Sequence, residues 1–178
     1  MPLKTRLRLP ALVLIALFVV VVAAAAVLGS KSAQAQAEQP IAFNHSVHVE
    51  ELGVPCLYCH SNAQRGQSAG LPTLEKCQGC HSQIDPGDSQ ALQDLARYAE
   101  ENKPIQWVPV ALQPDFVYFS HRPHVNAGLN CESCHGDVGQ MTVAEPQGDM
   151  NMGWCLSCHK KLAPERFVKL SDCATCHK

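Results

Sequence analysis

One pentapeptide, Cys-x-x-Cys-His, occurs five times in a chain of 178 residues, at Cys56-Leu57-Tyr58-Cys59-His60, Cys77-Gln78-Gly79-Cys80-His81, Cys131-Glu132-Ser133-Cys134-His135, Cys155-Leu156-Ser157-Cys158-His159 and Cys173-Ala174-Thr175-Cys176-His177. These motifs use all ten cysteines. The spacing is the attachment signature of c-type haem: two thiols add to the vinyl groups of a porphyrin, and the adjoining histidine supplies one axial nitrogen to the iron. Zinc knuckles and redox dithiols also use paired C-x-x-C. Zinc, however, needs no histidine directly after the second cysteine, and thioredoxin-like motifs do not come five to a chain. The expected cofactors are therefore five covalently bound haem c groups, with His60, His81, His135, His159 and His177 as proximal ligands.

A chain built this way has little else with which to fold. It holds two Trp, three Tyr and five Phe, and much of its 46% apolar content sits in the first thirty residues. A small domain short of core needs covalent or metal staples, and buried porphyrins would take that role. Without haem, most of the exported part is expected to be unfolded. The formal net charge is -2. Two propionates per haem make the loaded protein more acidic still, which argues against nucleic acid as a partner.

The N-terminus carries Lys4, Arg6 and Arg8, followed by an apolar run from Ala11 to Leu28 with no charge and no proline. A signal-peptide apolar region usually spans about 7–15 residues. This run is longer, and at about 1.5 Å per residue it approaches the thickness of a bilayer core. Ala33-Gln34-Ala35 and Ala35-Gln36-Ala37 offer the competing reading of a cleaved signal. A retained single-pass anchor is the favoured expectation. The basic end then stays in the cytoplasm, and the haem motifs lie on the outer, periplasmic side of the inner membrane.

The expected organisation is an anchor over 1–28, a small polar tether over 29–40, a two-haem module over 41–81, a helical and extended linker over 82–115 and a three-haem module over 116–178. In the first module, 61–71 reads as a solvated connector, with Arg65 as a candidate partner for a propionate. In the linker, Asp85-Pro86-Gly87 signals a turn, and Asp88 or Ser89 can cap a helix to about Glu101, stopped by Pro104. Ile105–Val110 then reads as extended and apolar, packed into a core or against a haem or partner. The second module repeats the first: Phe43-x-His45-x-x-His48-Val49 matches Phe119-x-His121-x-x-His124-Val125, and Gly53 and Gly128 hold the same relative place, one residue apart in spacing. Such a repeat means that one haem-binding unit is used twice. No alternating apolar run predicts a sheet. The expected fold is that of a multihaem cytochrome c, with one transmembrane helix and then short helices and loops packed around five haems.

Nine histidines are present, five of them proximal. The other four, His45, His48, His121 and His124, all lie in the repeated segment and are the candidate distal ligands. Here the chain resembles the class III multihaem cytochromes c, in which a Phe-Asn-His-x-x-His segment precedes a haem motif. The resemblance implies that His45 serves the haem of Cys56 and Cys59, and His121 that of Cys131 and Cys134. His48 and His124 then bridge to neighbours, expected to be the haems of Cys77/Cys80 and Cys173/Cys176. Ten ligands are needed and nine histidines exist. The haem of Cys155/Cys158 is left over, and Met141 is its expected ligand. It lies 18 residues before His159, comparable with the 15 separating His45 from His60. Met152 is the next candidate, for this or an adjacent haem, and Met150 the remaining one.

Across nearly the whole chain, the anchor, Phe43-Asn44-His45, Lys103 to Val108, Pro114 to His121 and Met152-Gly153-Trp154-Cys155 resemble the pentahaem cytochrome subunit of alternative complex III, a membrane quinol-oxidising assembly. That likeness implies an electron-transfer subunit with no catalytic residue of its own. Its implied partners are an iron–sulfur and molybdopterin-like subunit, quinol-binding membrane subunits and a monohaem cytochrome. A free-standing anchored quinol dehydrogenase is the alternative, although its first motif would follow the membrane helix more closely than the 27 residues between Leu28 and Cys56. A multihaem nitrite reductase needs an open iron site and often a lysine in place of a proximal histidine, whereas all five motifs here end in His.

Overall fold

The computed structural model describes residues 12–20, 22 and 38–178. The chain divides into two units, Met1–Gln36 and Ala37–Lys178. In the first, residues 12–20 and 22 are helical, and their apolar side chains, Leu12 and Phe18 among them, are exposed. Much of the expected anchor over 11–28 and most of the tether lie outside the described residues. No helix among the described residues is long and apolar enough to cross a membrane, so the expected transmembrane helix gains no support from the fold.

The second unit is helical, with no strand among the described residues and one isolated bridge, between Val117 and His177. Each C-x-x-C-H lies on or runs into a short helix: α1 (Cys56–Cys59), α2 (Leu74–His81), α5 (Glu132–His135), α6 (Met152–Leu162) and α8 (Cys173–Cys176). The motif itself calls for this, because residues three apart share a helical face, so one turn aims both thiols the same way. Between them lie α3 (Gln90–Glu100), α4 (His121–Asn126) and α7 (Phe167–Leu170).

Helix α3 follows the expected turn, in which the Asp85 carboxylate accepts the Gly87 N–H at 3.0 Å. It begins after Ser89 and ends at Glu101, and Asn102 takes the left-handed conformation (φ 47°) that commonly closes a helix. Its apolar face supplies Leu95 to a cluster with Ile41, Leu74 and Ile105, flanked by Cys77, Ala91, Tyr98, Ala99 and Trp107. Segment 82–115 is thus more than a connector, since α3 packs on the haem-bearing helix α2. Trp107 Nε1 donates to the Pro72 carbonyl at 3.2 Å, and the Gln39 side chain bonds both main-chain groups of Val108. The apolar stretch after Pro104 therefore begins in the core. Apart from Ala63, these four residues are the only buried apolar side chains among the described residues.

The repeat is legible in three dimensions, and so is its one-residue irregularity. In the second copy α4 is an ordinary helix, with Gly128 N–H bonding the Val125 carbonyl and Leu129 N–H that of His124. In the first copy the equivalent bonds run from Gly53 to Val49 and from Val54 to His48, across a π-helical turn at Val47–Glu51. The wider turn absorbs the extra residue, as π-bulges do. Both copies end on a glycine at positive φ, 67° at Gly53 and 82° at Gly128. At neither position would a Cβ meet another atom, so backbone conformation alone calls for glycine there.

Candidate functional site

Each repeat presents two histidines around one phenylalanine. Phe43 meets His45 edge-on at 4.8 Å and stacks with His48 at 4.4 Å, and Phe119 meets His121 and His124 at 4.9 and 4.7 Å with closely similar angles. The second histidine of each pair is aimed by its own helix. His48 Nδ1 lies 2.8 Å from the Asn44 carbonyl, and His124 Nδ1 lies 2.7 Å from that of Ser120. A carbonyl can only accept, so Nδ1 carries the proton in each ring and the Nε2 lone pair is left for a metal.

These rings face the proximal histidines. Two imidazoles bound to one ion from opposite sides, each nitrogen about 2 Å from it and about 1.1 Å from its ring centre, place their centroids about 6 Å apart. The observed separations are 6.0 Å for His48 and His81, 6.2 Å for His121 and His135, and 6.1 Å for His124 and His159. His45 completes the set beside His60, with burial, then His60 and His48, holding its pKa below the ordinary value. Burial and His48 lower His81 in the same way, and burial with His121 and His60 lowers His135. Partial burial and a neighbouring imidazole both favour the neutral ring, the form that keeps a lone pair for a metal. The Nδ1 atoms of His45, His81 and His159 are buried without a partner, all ten cysteines are free thiols, and no group of three His, Cys, Asp or Glu among the described residues converges as a zinc-type cluster. The residues fit haem c, which needs paired thiols and an adjoining imidazole at each attachment point, and four of the motifs have a second histidine nearby.

The pairing differs from the sequence expectation at one centre. His124 faces His159 of the fourth motif, whereas the expectation placed it with the fifth. Each repeat then pairs its first histidine with its first motif and its second with its second. Met141 loses its premise as ligand to the haem of Cys155/Cys158, because a histidine already faces His159. Its main-chain carbonyl accepts the Ser46 N–H at 3.1 Å, beside the π-turn. Eight of the nine histidines are used in pairs, and His177 remains, its Nδ1 3.2 Å from the Phe116 carbonyl and its ring stacked on Phe116 at 5.8 Å.

The loop 61–71, expected to be a solvated connector, positions ligands in both modules. The Gly70 carbonyl lies 2.7 Å from His60 Nδ1 and that of Gln67 lies 2.8 Å from His121 Nδ1, while His121 and Arg122 N–H groups donate to Gln67 and Gly66. Arg65 itself is exposed. The acceptors are main-chain carbonyls, which every residue carries, and only the glycines in the loop hint at so close an approach.

The thiols record which motifs are neighbours. Burial raises the pKa of Cys77, with Cys59 adding to the rise. Burial raises Cys131, with Cys56 next to it and hydrogen-bonded to it. Cys134 is raised by burial, then by Cys158 and Cys155, and Cys155 by burial, then by Cys176. Thiols of different motifs thus lie within electrostatic reach of one another.

Residues 22–105 match the model of the class III cytochrome c family, and residues 117–178 match that of cytochrome c7 and related cytochrome c. The chain is also similar to the menaquinone reductase, multihaem cytochrome c subunit, of Nitratidesulfovibrio vulgaris strain Hildenborough, at 33% identity over 81% of this chain and 79% of that one. With opposed histidines at the haem motifs, a family match on each copy of the repeat and a relative at that identity over most of both chains, this protein belongs to the class III and c7-like multihaem cytochromes c, which carry electrons on covalently bound haem c.

Proposed function

We propose that the chain is a five-haem electron-transfer subunit of a membrane quinol–acceptor oxidoreductase of the alternative complex III kind, working on the outer face of the membrane. The observation that supports it is the facing of histidine pairs at ring separations of 6.0, 6.2 and 6.1 Å beside the C-x-x-C-H motifs, the spacing of two imidazoles on one metal ion. A bound haem c supplies an iron that gains and loses one electron. The chain's own residues do the rest. Paired thiols on one helical turn would fix each porphyrin, and opposed imidazoles would hold the iron where a second histidine faces the motif, as His48 faces His81, His121 faces His135 and His124 faces His159. The relative's name concerns menaquinone, which supports a quinone-linked role here. The apolar run over 11–28 supports attachment to the membrane. The partners in this reading are an iron–sulfur and molybdopterin-like subunit, quinol-binding membrane subunits and a monohaem cytochrome. Extraction of native membranes in mild detergent followed by native mass measurement is expected to give the chain with five haems inside a larger assembly. A monodisperse monomer would instead identify a free-standing anchored carrier.

A further inference from the structure

Charge is unevenly spread along the second unit. Residues 38–159 hold five cations against fourteen acids, whereas residues 160–178 hold Lys160, Lys161, Arg166, Lys169 and Lys178 against Glu165 and Asp172. All five of these C-terminal cations are exposed. The ion pairs found among the described residues, Arg97 with Asp94 and Lys103 with Glu101, involve none of them. The fold gathers this charge at the fifth motif. The Lys169 carbonyl accepts both the Thr175 hydroxyl at 2.9 Å and the Asp172 N–H at 3.4 Å, which fixes α7 to the turn that carries Cys173 and Cys176. Arg166, Lys169, Ala174 and Thr175 share the lining of one open groove. Segment 116–118 engages the end of the motif, where the Tyr118 N–H donates to the Cys176 carbonyl at 2.7 Å and Val117 bridges to His177, and it brings no charge there.

We propose that this surface, centred on Arg166 and Lys169, docks an acidic electron-transfer protein beside the fifth haem-attachment site. The proposal rests on the electron-transfer reading above and names the kind of partner that exchanges electrons at this place. A positive face on an otherwise negative molecule turns an incoming anionic protein as well as attracting it, and so raises the rate of productive encounter. An anionic bilayer suits the surface less well. Glu165 and Asp172 line the same groove as Arg166 and Lys169, and a partner with patterned charge can match that mixture where a uniformly negative surface cannot.

The test uses the haem-loaded protein in its native membrane complex, reduced and then mixed by stopped flow with an oxidised acidic monohaem cytochrome c or, for comparison, a basic one. One electron crosses per encounter, oxidising a haem of the complex and reducing the probe. The acidic probe is expected to react faster at low salt and to lose that advantage at high salt. Arg166→Glu with Lys169→Glu should slow the acidic probe about tenfold or more at low salt and speed the basic one, at unchanged haem content. Arg97→Glu with Lys103→Glu, the same change of charge elsewhere, should have a much smaller effect. Fewer than five haems in the unaltered complex, or no electron transfer to either probe, would overturn the relay reading and the proposal together. The proposal alone is overturned if the acidic probe's rate does not depend on salt or if the two double variants slow it equally. It is also overturned if Arg166→Glu with Lys169→Glu shifts a midpoint potential and leaves the rate intact, since these cations then serve the chain's own propionates. The same holds if that variant keeps the rate but weakens binding of the complex to phosphatidylglycerol vesicles, which would make the surface a lipid contact.

Discussion

What fits a histidine of this protein to serve as a haem ligand is what its other ring nitrogen does. His48, His60, His121, His124 and His177 each place Nδ1 against a main-chain carbonyl, which settles the tautomer and turns Nε2 toward the metal. His45, His81 and His159 lack such an acceptor. A buried N–H left unsatisfied costs about 1–3 kcal/mol, so these three rings are the natural donors to groups that arrive with the cofactor. The decisive residue is His124, because the sequence and the geometry give it different partners. His124→Ala is expected to leave one haem five-coordinate and open to carbon monoxide. The same substitution in a protein whose fourth motif is disabled by Cys155→Ala and Cys158→Ala should add no further carbon monoxide binding. Additional binding in that background would return His124 to another haem.

The elements are short because each has one local task. A turn of helix presents two thiols, and a turn preceding it presents two imidazoles. The same task is performed with two chain lengths, an ordinary helix after His121 and a π-turn after His45. Deleting one residue between Val49 and Leu52 is therefore expected to convert the first copy to the geometry of the second, with all haems still ligated and the urea midpoint little changed. Loss of the bis-histidine signals on deletion would show that the π-turn itself is needed. The glycines that end both copies are less tolerant. Gly53→Ala and Gly128→Ala each place a Cβ at positive φ, which costs about 1–2 kcal/mol, and each should lower the denaturation midpoint accordingly. Equal midpoints to the parent protein would sink that reading.

At the scale of the molecule, the polypeptide alone is close to coreless. Among the described residues its apolar cluster is Ile41, Leu74, Leu95 and Ile105, which lie in the first module, in α3 and just after it. The second module has no buried apolar residue among the described ones. Two seams join the modules: loop 61–71 on α4, and the turn at Val138–Gln140 against the π-turn, where a Cβ on Gly139 would come within 3.0 Å of Val49. Both seams lie beside candidate ligand histidines, His121 at the first and His48 in the π-turn of the second. The chain made in a host without haem-attachment machinery should thus show little helix by circular dichroism and no cooperative melting. A native-like spectrum without haem would refute the staple role of the porphyrins.

The cytochrome c family and the repeat were legible in the sequence, because the C-x-x-C-H motifs and the F-x-H-x-x-H segments are each written within a few consecutive residues. Segment 90–100 was equally legible, its apolar spacing and flanking turn being local signals. Which histidine ring faces which motif, and the use of Gln67 and Gly70 carbonyls to orient rings, emerge from the fold. The resemblance to class III cytochromes left the partner of His124 open among its neighbours, with the fifth motif as the expectation, whereas the fold sets its ring 6.1 Å from that of His159. The cause is physical. A thioether linkage acts across two or three residues, whereas the face of an imidazole is filled by whatever the folded backbone brings to it, and a main-chain carbonyl leaves no mark in the sequence.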